Sequence, residues 1–348
     1  ILGHDDPAML RMLADLTGFN PTEIPLDDPK SMALFPGVES LGLEPEDIGG
    51  LSVGVLGIPE FGTSFVRRMV EEIKPTSFAE LIRISGFSHG TDVWTNNAQD
   101  LIRNGIADAK DAIATRDDIM NFLIQKGMEP KKAFSIMERV RKGRGLSDED
   151  VSAMEQVGIP QWYIESCRKI SYLFPKAHAV AYVIMAFRIA YFKVHYPEAY
   201  YAAFFSIRAS EFPADSAAKG VDAVKMRLAE LKAKGSDLSE KEAGLVTSLE
   251  IVLEALQRGI VFREIDLYES DAFAMKITPT GLLPPLSALD GVGAAAAEAL
   301  AAAASTNGEF RSIQDLQEKA RVSRAVIDAL RSAGCLEGLP ETDQMSLF

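Results

Sequence analysis

The sequence predicts a mainly α protein with one small strand-bearing insert, and three observations carry that prediction. Helix start and stop devices recur from Asp6 to Arg258. Apolar residues follow the helical period between them, and strand-like alternation is confined to residues 261–277. In order, Asp6 followed by Pro7 caps a first helix that Gly18 closes, and Asp28 with Pro29 repeats the device. Helices are expected over 63–73, 78–84, 117–126, 130–142, 148–157 and 161–172, with Gly127, Gly143 and Gly158 as C-terminal stops. The longest pattern, 177–196, is apolar on nearly every side, which implies a helix buried within a domain. Pro197 ends it and a helix over 198–208 follows. Residues 215–234 and 239–258 form an amphipathic helical hairpin. Partial alternation at 265–268 and 273–277 predicts strands, Pro279, Gly281, Pro284 and Pro285 mark loops, and helices resume from Gly293.

A chain of 348 residues, 47% hydrophobic, can build two or three domains with real cores. No window of 18 apolar residues is found, so no membrane span is expected, and no signal peptide is recognised. The start at Ile1, in mid-pattern, reads as part of something longer. Cys167 and Cys335 lie far apart and match no metal spacing, so a reducing, cytoplasmic setting is expected and a metal site is not. The net charge of −14 argues at face value against nucleic acid as a partner. Its distribution is uneven. Residues 1–60 hold eleven acids and only Arg11 and Lys30 as bases, whereas 116–208 hold fourteen Lys/Arg against ten Asp/Glu. Arg139, Arg141, Lys142 and Arg144 fall within six residues, a local basic surface suited to phosphate if it is not merely a solvated helix end.

Three constellations point to chemistry. Lys176-Ala177-His178-Ala179-Val180-Ala181-Tyr182 opens the long apolar helix, and His178 and Tyr182, four apart, share a face. Lys176 stands where a phosphate would meet both its ammonium and a helix N-terminus. Leu289-Asp290-Gly291-Val292-Gly293, then an alanine-rich helix from Ala294, resembles a helix-hairpin-helix, whose glycines let the backbone approach a phosphate. Ala320-Arg321-Val322-Ser323-Arg324 looks like a degenerate second copy in which arginines replace the glycines. The fold class is therefore a multi-helix domain followed by a small α+β region with tandem helix-hairpin-helix units. Finally, Gln344-Met345-Ser346-Leu347-Phe348 puts two large apolar side chains beyond a Gly/Pro stretch, and it resembles the sliding-clamp-binding motif of bacterial replication proteins.

Phe174-Pro175-Lys176-Ala177-His178 with Ala181-Tyr182, and Tyr191-Phe192-Lys193-Val194-His195-Tyr196-Pro197, are similar to the fingers of C-family bacterial replicative DNA polymerases. Gly57-Ile58-Pro59-Glu60-Phe61-Gly62-Thr63, residues 85–94, Arg116-Asp117-Asp118-Ile119-Met120 and the terminal Gln-x-x-Leu-Phe narrow the resemblance to the PolC type of DNA polymerase III alpha subunit, essentially from Ile1 to Phe348. The resemblance implies this order: 1–25, end of palm and start of fingers; 26–212, fingers; 213–263, helical connector; 264–340, duplex-binding tandem units; 341–348, clamp-binding tail. It implies primer-template DNA, a deoxynucleoside triphosphate and the sliding clamp (beta subunit) as partners, no membrane, and a place in the bacterial cytoplasm at the replisome. Mg2+ would be held by palm aspartates outside this chain. Asp5 and Asp6 read as a helix cap, so no catalytic residue and no polymerisation by the chain alone are expected.

By motif position, Arg116, Lys176 and Arg144 or Lys142 would face the triphosphate, and Ser88, His89 and Tyr182 its base or sugar, with His178 also expected at the nucleotide. Duplex contact falls to Gly291, Val292, Gly293, Ala294, Arg321, Ser323 and Arg324, and clamp contact to Gln344, Met345, Leu347 and Phe348. Phe87 and Trp94 are expected in the core. Two alternatives stand beside this: a non-catalytic helix-hairpin-helix adaptor, and a fragment of the DnaE-type polymerase.

Overall fold

The computed structural model of the protein describes residues 5–342, and it is built almost wholly from helices. In chain order they are α1 (Asp6–Thr17), α2 (Pro29–Ala33), α3 (Ser64–Ile73), α4 (Phe78–His89), α5 (Gln99–Arg103), α6 (Arg116–Gln125), α7 (Pro130–Arg141), α8 (Asp148–Gln156) and α9 (Gln161–Lys169). They continue with α10 (Lys176–His195), α11 (Pro197–Ile207), α12 (Ala214–Ala217), α13 (Val221–Lys232), α14 (Glu240–Gln257), α15 (Ala294–Asn307), α16 (Ile313–Ala320) and α17 (Arg324–Ser332). A single antiparallel pair interrupts them, β1 (Lys276–Thr278) and β2 (Gly281–Leu283), with Ile277 opposite Leu282. The mainly α expectation holds.

The chain divides into two compact units. One comprises Glu23–Ser40 and Ser52–Tyr191. The other comprises the described parts of Ile1–Thr22, Leu41–Leu51 and Phe192–Phe348. The core of the first is aromatic: Phe35 meets Phe61 edge-on at 5.0 Å and stacks on Phe187 at 6.2 Å, and Phe87 lies against Trp94 at 5.3 Å. Phe87 and Trp94 are both buried, as expected. In the second unit Phe205, Phe212 and Phe262 form a ring cluster, and Lys232 of α13 pairs with Glu250 of α14 at 2.8 Å across the helical hairpin.

Local chemistry explains most element ends. Thr63, Ser77, Ser147 and Ser239 cap α3, α4, α8 and α14 through their hydroxyls. Gly127, Gly143 and Gly158 follow helices with φ of 96°, 65° and 75°, the left-handed stop that glycine takes without strain.

Several expectations are corrected. Asp5, not Asp6, stands at the cap position of α1, and Asp6 is its first residue. The helix expected over 78–84 runs on to His89. Gly86 does not stop it, because that glycine serves packing: a Cβ there would lie 2.6 Å from the Ala114 carbonyl. The helix expected to reach 172 ends at Lys169, since Ser171 and Tyr172 pair with Thr91 instead. The helix expected over 215–234 breaks at Gly220, φ 88°. Residues 265–268 form no strand, because the Asp266 carboxylate takes the N–H groups of Tyr268 and Glu269 and bends the chain. Of 273–277 only Lys276 and Ile277 are paired, in β1.

The helix expected to be buried, α10, exposes Ala177, His178 and Ala181 at its start. With a mean hydropathy of 1.3 it is long and apolar enough to cross a membrane by length and composition, contrary to expectation. Its Lys193 is fully buried and paired with Glu254 at 2.8 Å.

Candidate nucleotide and duplex site

Proline is the starting point. The residue before a proline is pushed out of the helical region, so Phe174 before Pro175 is held extended at the mouth of α10. The segment around it, residues 171–176, gathers the motif-bearing pieces through backbone bonds. Ser171 and Tyr172 donate to the Thr91 carbonyl at 3.1 and 3.3 Å, and Thr91 returns a bond to Tyr172 at 3.0 Å. Leu173 donates to Arg141 at 3.4 Å, Arg116 donates to Phe174 at 3.2 Å, and the Lys176 N–H donates to the Asp117 carboxylate at 2.8 Å. Segments separated by up to 85 positions thus share one edge.

The Phe174 ring is the hub of this cluster. His89 stacks on it at 4.7 Å and 24°, Tyr182 lies near-parallel at 6.5 Å, and the exposed His178 meets it edge-on at 5.9 Å. His89 has an oxygen beside each ring nitrogen: Nδ1 is 2.8 Å from the Ser85 carbonyl and 3.0 Å from Ser88 Oγ, and Nε2 is 3.3 Å from Glu60. Gly143 is packed so tightly on Ser171 that a Cβ would lie 2.6 Å from its carbonyl, which holds Lys142 and Arg144 beside the same segment. All eight residues nominated for the nucleotide therefore fall around one extended segment and its ring.

Their charges are largely met within the protein. Arg116 lies 3.9 Å from Asp117, Lys176 lies 3.8 Å from Asp118, and Lys142 lies 2.8 Å from Glu138. Glu138 also receives two bonds from Arg141, and its carboxyl is pulled down to about 2, chiefly by Arg141 and then by Lys142. Arg144 is exposed and makes no ion pair among the described residues. Asp118 is fixed from three sides: its Oδ2 accepts the Ala114 and Thr115 N–H groups, and its Oδ1 lies 3.5 Å from Arg83. Arg83 in turn donates to the Ala109 carbonyl at 2.6 Å and to that of Ala112. Sequence reasoning missed Phe174, Glu60, Arg83, Asp117 and Asp118 as parts of the site. Phe174, Glu60, Asp117 and Asp118 stood inside quoted motifs, and the pre-proline position of Phe174 was a usable signal. Nothing local marked Arg83.

The second constellation lies in the other unit. Gly291, Val292, Gly293 and Ala294 have φ 89° at the first position, a Val 5% exposed at the second, and a helix cap at φ −74°, ψ 167° at the third. Arg321, Val322, Ser323 and Arg324 repeat this: φ 52°, a Val 8% exposed, and a cap at φ −73°, ψ 161°. The two turns are thus the same device with different side chains. A Cβ on Gly293 would meet nothing within 4 Å, so packing does not require glycine there, and the open space is room for a ligand to approach. Arg321 and Arg324 are exposed. Gln344, Met345, Leu347 and Phe348 lie outside the described residues, but the chain leading to them is fastened. Ile313 and Gln314 at the start of α16 donate to the Pro340 and Glu341 carbonyls at 2.9 and 3.2 Å, and Arg331 grips Glu341 at 2.9 and 3.0 Å.

Among the described residues no group of three or more His, Cys, Asp or Glu could hold a metal ion. Asp5 instead lies 3.5 Å from Arg208, and the residues present do not fit a Mg2+ site.

Residues 6–158 match the bacterial DNA polymerase III alpha subunit finger domain, and residues 259–345 match the helix-hairpin-helix motif. Over all 348 residues the chain is 58% identical to DNA polymerase III PolC-type of Caldanaerobacter subterraneus, covering 25% of that protein. It is 54% identical to that of Clostridium perfringens and 52% identical to that of Bacillus subtilis, covering 24% of each. The chain thus spans about a quarter of the length of the curated relatives it matches. Two domain matches in the expected order, and full-chain identity above one half to proteins of that name, place it: the chain belongs to the PolC-type DNA polymerase III family.

Proposed function

We propose that this chain is the fingers, duplex-binding and clamp-binding part of a replicative polymerase that adds deoxynucleotides to a primer 3′-OH in the bacterial cytoplasm. The observation that carries this reading is the convergence on Phe174 of His89, His178, Tyr182, Arg116 and Lys176. Flat rings suit a base or sugar, and cations at a helix start suit a triphosphate. Arg116, Lys176, Lys142 and Arg144 would lower the cost of the negative charge that develops as pyrophosphate departs. The carboxylates that now meet three of them must yield on binding. Mg2+ supplies charge neutralisation in such reactions and would come with palm aspartates beyond this chain.

The paired turns at Gly291–Ala294 and Arg321–Arg324 support contact with duplex phosphates without sequence preference. Binding of the chain to a fluorescent primer-template should weaken steeply with salt. Changing Arg321 and Arg324 to Ala should flatten the slope of log K against log salt by about two. A slope that the double substitution leaves alone would assign these turns to packing.

The Leu347-Phe348 pair would seat in a pocket of the sliding clamp and raise the local concentration of polymerase at the ring. Changing both to Ala should shorten products on clamp-loaded DNA roughly tenfold while synthesis without the clamp stays near wild type. Equal loss in the two assays would remove the tether.

A further inference from the structure

Five described non-glycine residues have positive φ: Glu60 (68°), Lys74, Asp92, Asn96 and Arg321. Lys74 and Arg321 end helices α3 and α16, where a left-handed residue closes the last turn. Asp92 and Asn96 are of the types that tolerate this region. Glu60 has neither explanation. It sits in a tight turn between two buried apolar residues, Ile58 and Phe61, in which Phe61 and Gly62 both donate to the Ile58 carbonyl, at 3.3 and 2.8 Å. That turn geometry favours glycine at position 60, and a glutamate there is held at a cost in backbone strain.

The Glu60 side chain is 8% exposed and points to the site rather than to water. Its Oε2 lies 3.3 Å from His89 Nε2 and accepts from Ser85 Oγ at 3.2 Å. With the Ser85 carbonyl at Nδ1, the carboxylate fixes the imidazole from both ends, flat on Phe174. We propose that Glu60 is a positioning residue for the incoming nucleotide: it holds His89 on the Phe174 face, so that the base or sugar meets a preset wall. This rests on the nucleotide site proposed above. The strained backbone is retained because the carboxylate can reach Nε2 from that position.

Glycine separates the two roles of the residue, since it relieves the backbone and deletes the carboxylate. In the full-length protein, Glu60→Gly should melt no lower than wild type yet raise the Michaelis constant for deoxynucleotide about fivefold, with kcat little changed. Glu60→Gln keeps an acceptor oxygen and should stay within about twofold. His89→Ala should raise the constant by a like amount, and adding Glu60→Gly to it should do nothing more. The proposal is overturned if His89→Ala raises the constant and Glu60→Gly does not, or if the loss across the series simply follows melting temperature. Should His89→Ala itself leave the constant unchanged, the nucleotide site at Phe174 fails and this proposal with it.

Discussion

Changing Glu254 to Ala should destabilise the protein by about 3–5 kcal/mol, the usual cost of stranding one member of a buried ion pair. Lys193 of α10 and Glu254 of α14 are both fully buried, with Nζ at 2.8 and 2.9 Å from the two carboxylate oxygens. Tyr201 of α11 donates to the same carboxylate at 2.6 Å, and Arg258 donates to the Tyr201 hydroxyl at 3.1 Å. Three helices are therefore fixed by one polar knot, and removing its acceptor takes the carboxylate from a buried ammonium and from the Tyr201 hydroxyl the oxygen to which it donates. A double change, Lys193→Met with Glu254→Leu, should recover most of the loss, because no buried charge is then left alone. Urea unfolding measures both, and a loss below about 1 kcal/mol for Glu254→Ala would contradict the argument.

Burial pulls Lys193 down to about 8, against the opposing pull of Glu254. The unfolded chain keeps that proton to its ordinary 10.5, so it binds more protons than the native state between about pH 8 and 10. This site's contribution to stability should consequently rise with pH across that window, and the double variant should flatten the rise. Above it, Tyr200 and Tyr201, raised by burial, pull the other way.

The second large effect concerns Lys176. Changing it to Ala in the full-length protein should lower kcat/KM for nucleotide incorporation by about two orders of magnitude, with primer-template affinity nearly unchanged. The ammonium is about half exposed at the start of α10, 3.8 Å from Asp118, while the residue's backbone N–H holds the Asp117 carboxylate that also meets Arg116. Nothing in the core depends on it, so the change should not unfold the protein. Unchanged nucleotide kinetics would favour the non-catalytic adaptor, in which this cluster has no triphosphate to meet.

The sequence was most legible where the signal was local. The cap at Asp28 and the glycine stops after α6, α7 and α8 lie where side-chain chemistry puts them. It was least legible where distant residues decide. Residues 85–89 read as lying past the end of a helix until the packing of Gly86 on Ala114 is known, and residues 170–172 read as helix until Thr91 offers an edge. Ile265 to Tyr268 look like a strand until the Asp266 carboxylate claims the backbone. The same division holds in the candidate site. Cations and rings were identifiable by type and motif, whereas their partners Glu60, Asp118 and Arg83 depend on packing that no periodicity reports.

The clasp between the α16 start and residues 340–341 sets a leash length. From Glu341 to Leu347 there are six peptide steps, at most about 20 Å of extended chain. If the terminal pair docks on a ring as proposed, the docked Leu347 can stand no farther than this from Glu341. Loosening the clasp by changing Arg331 would pay out more line and let that ring and Ile313 drift apart.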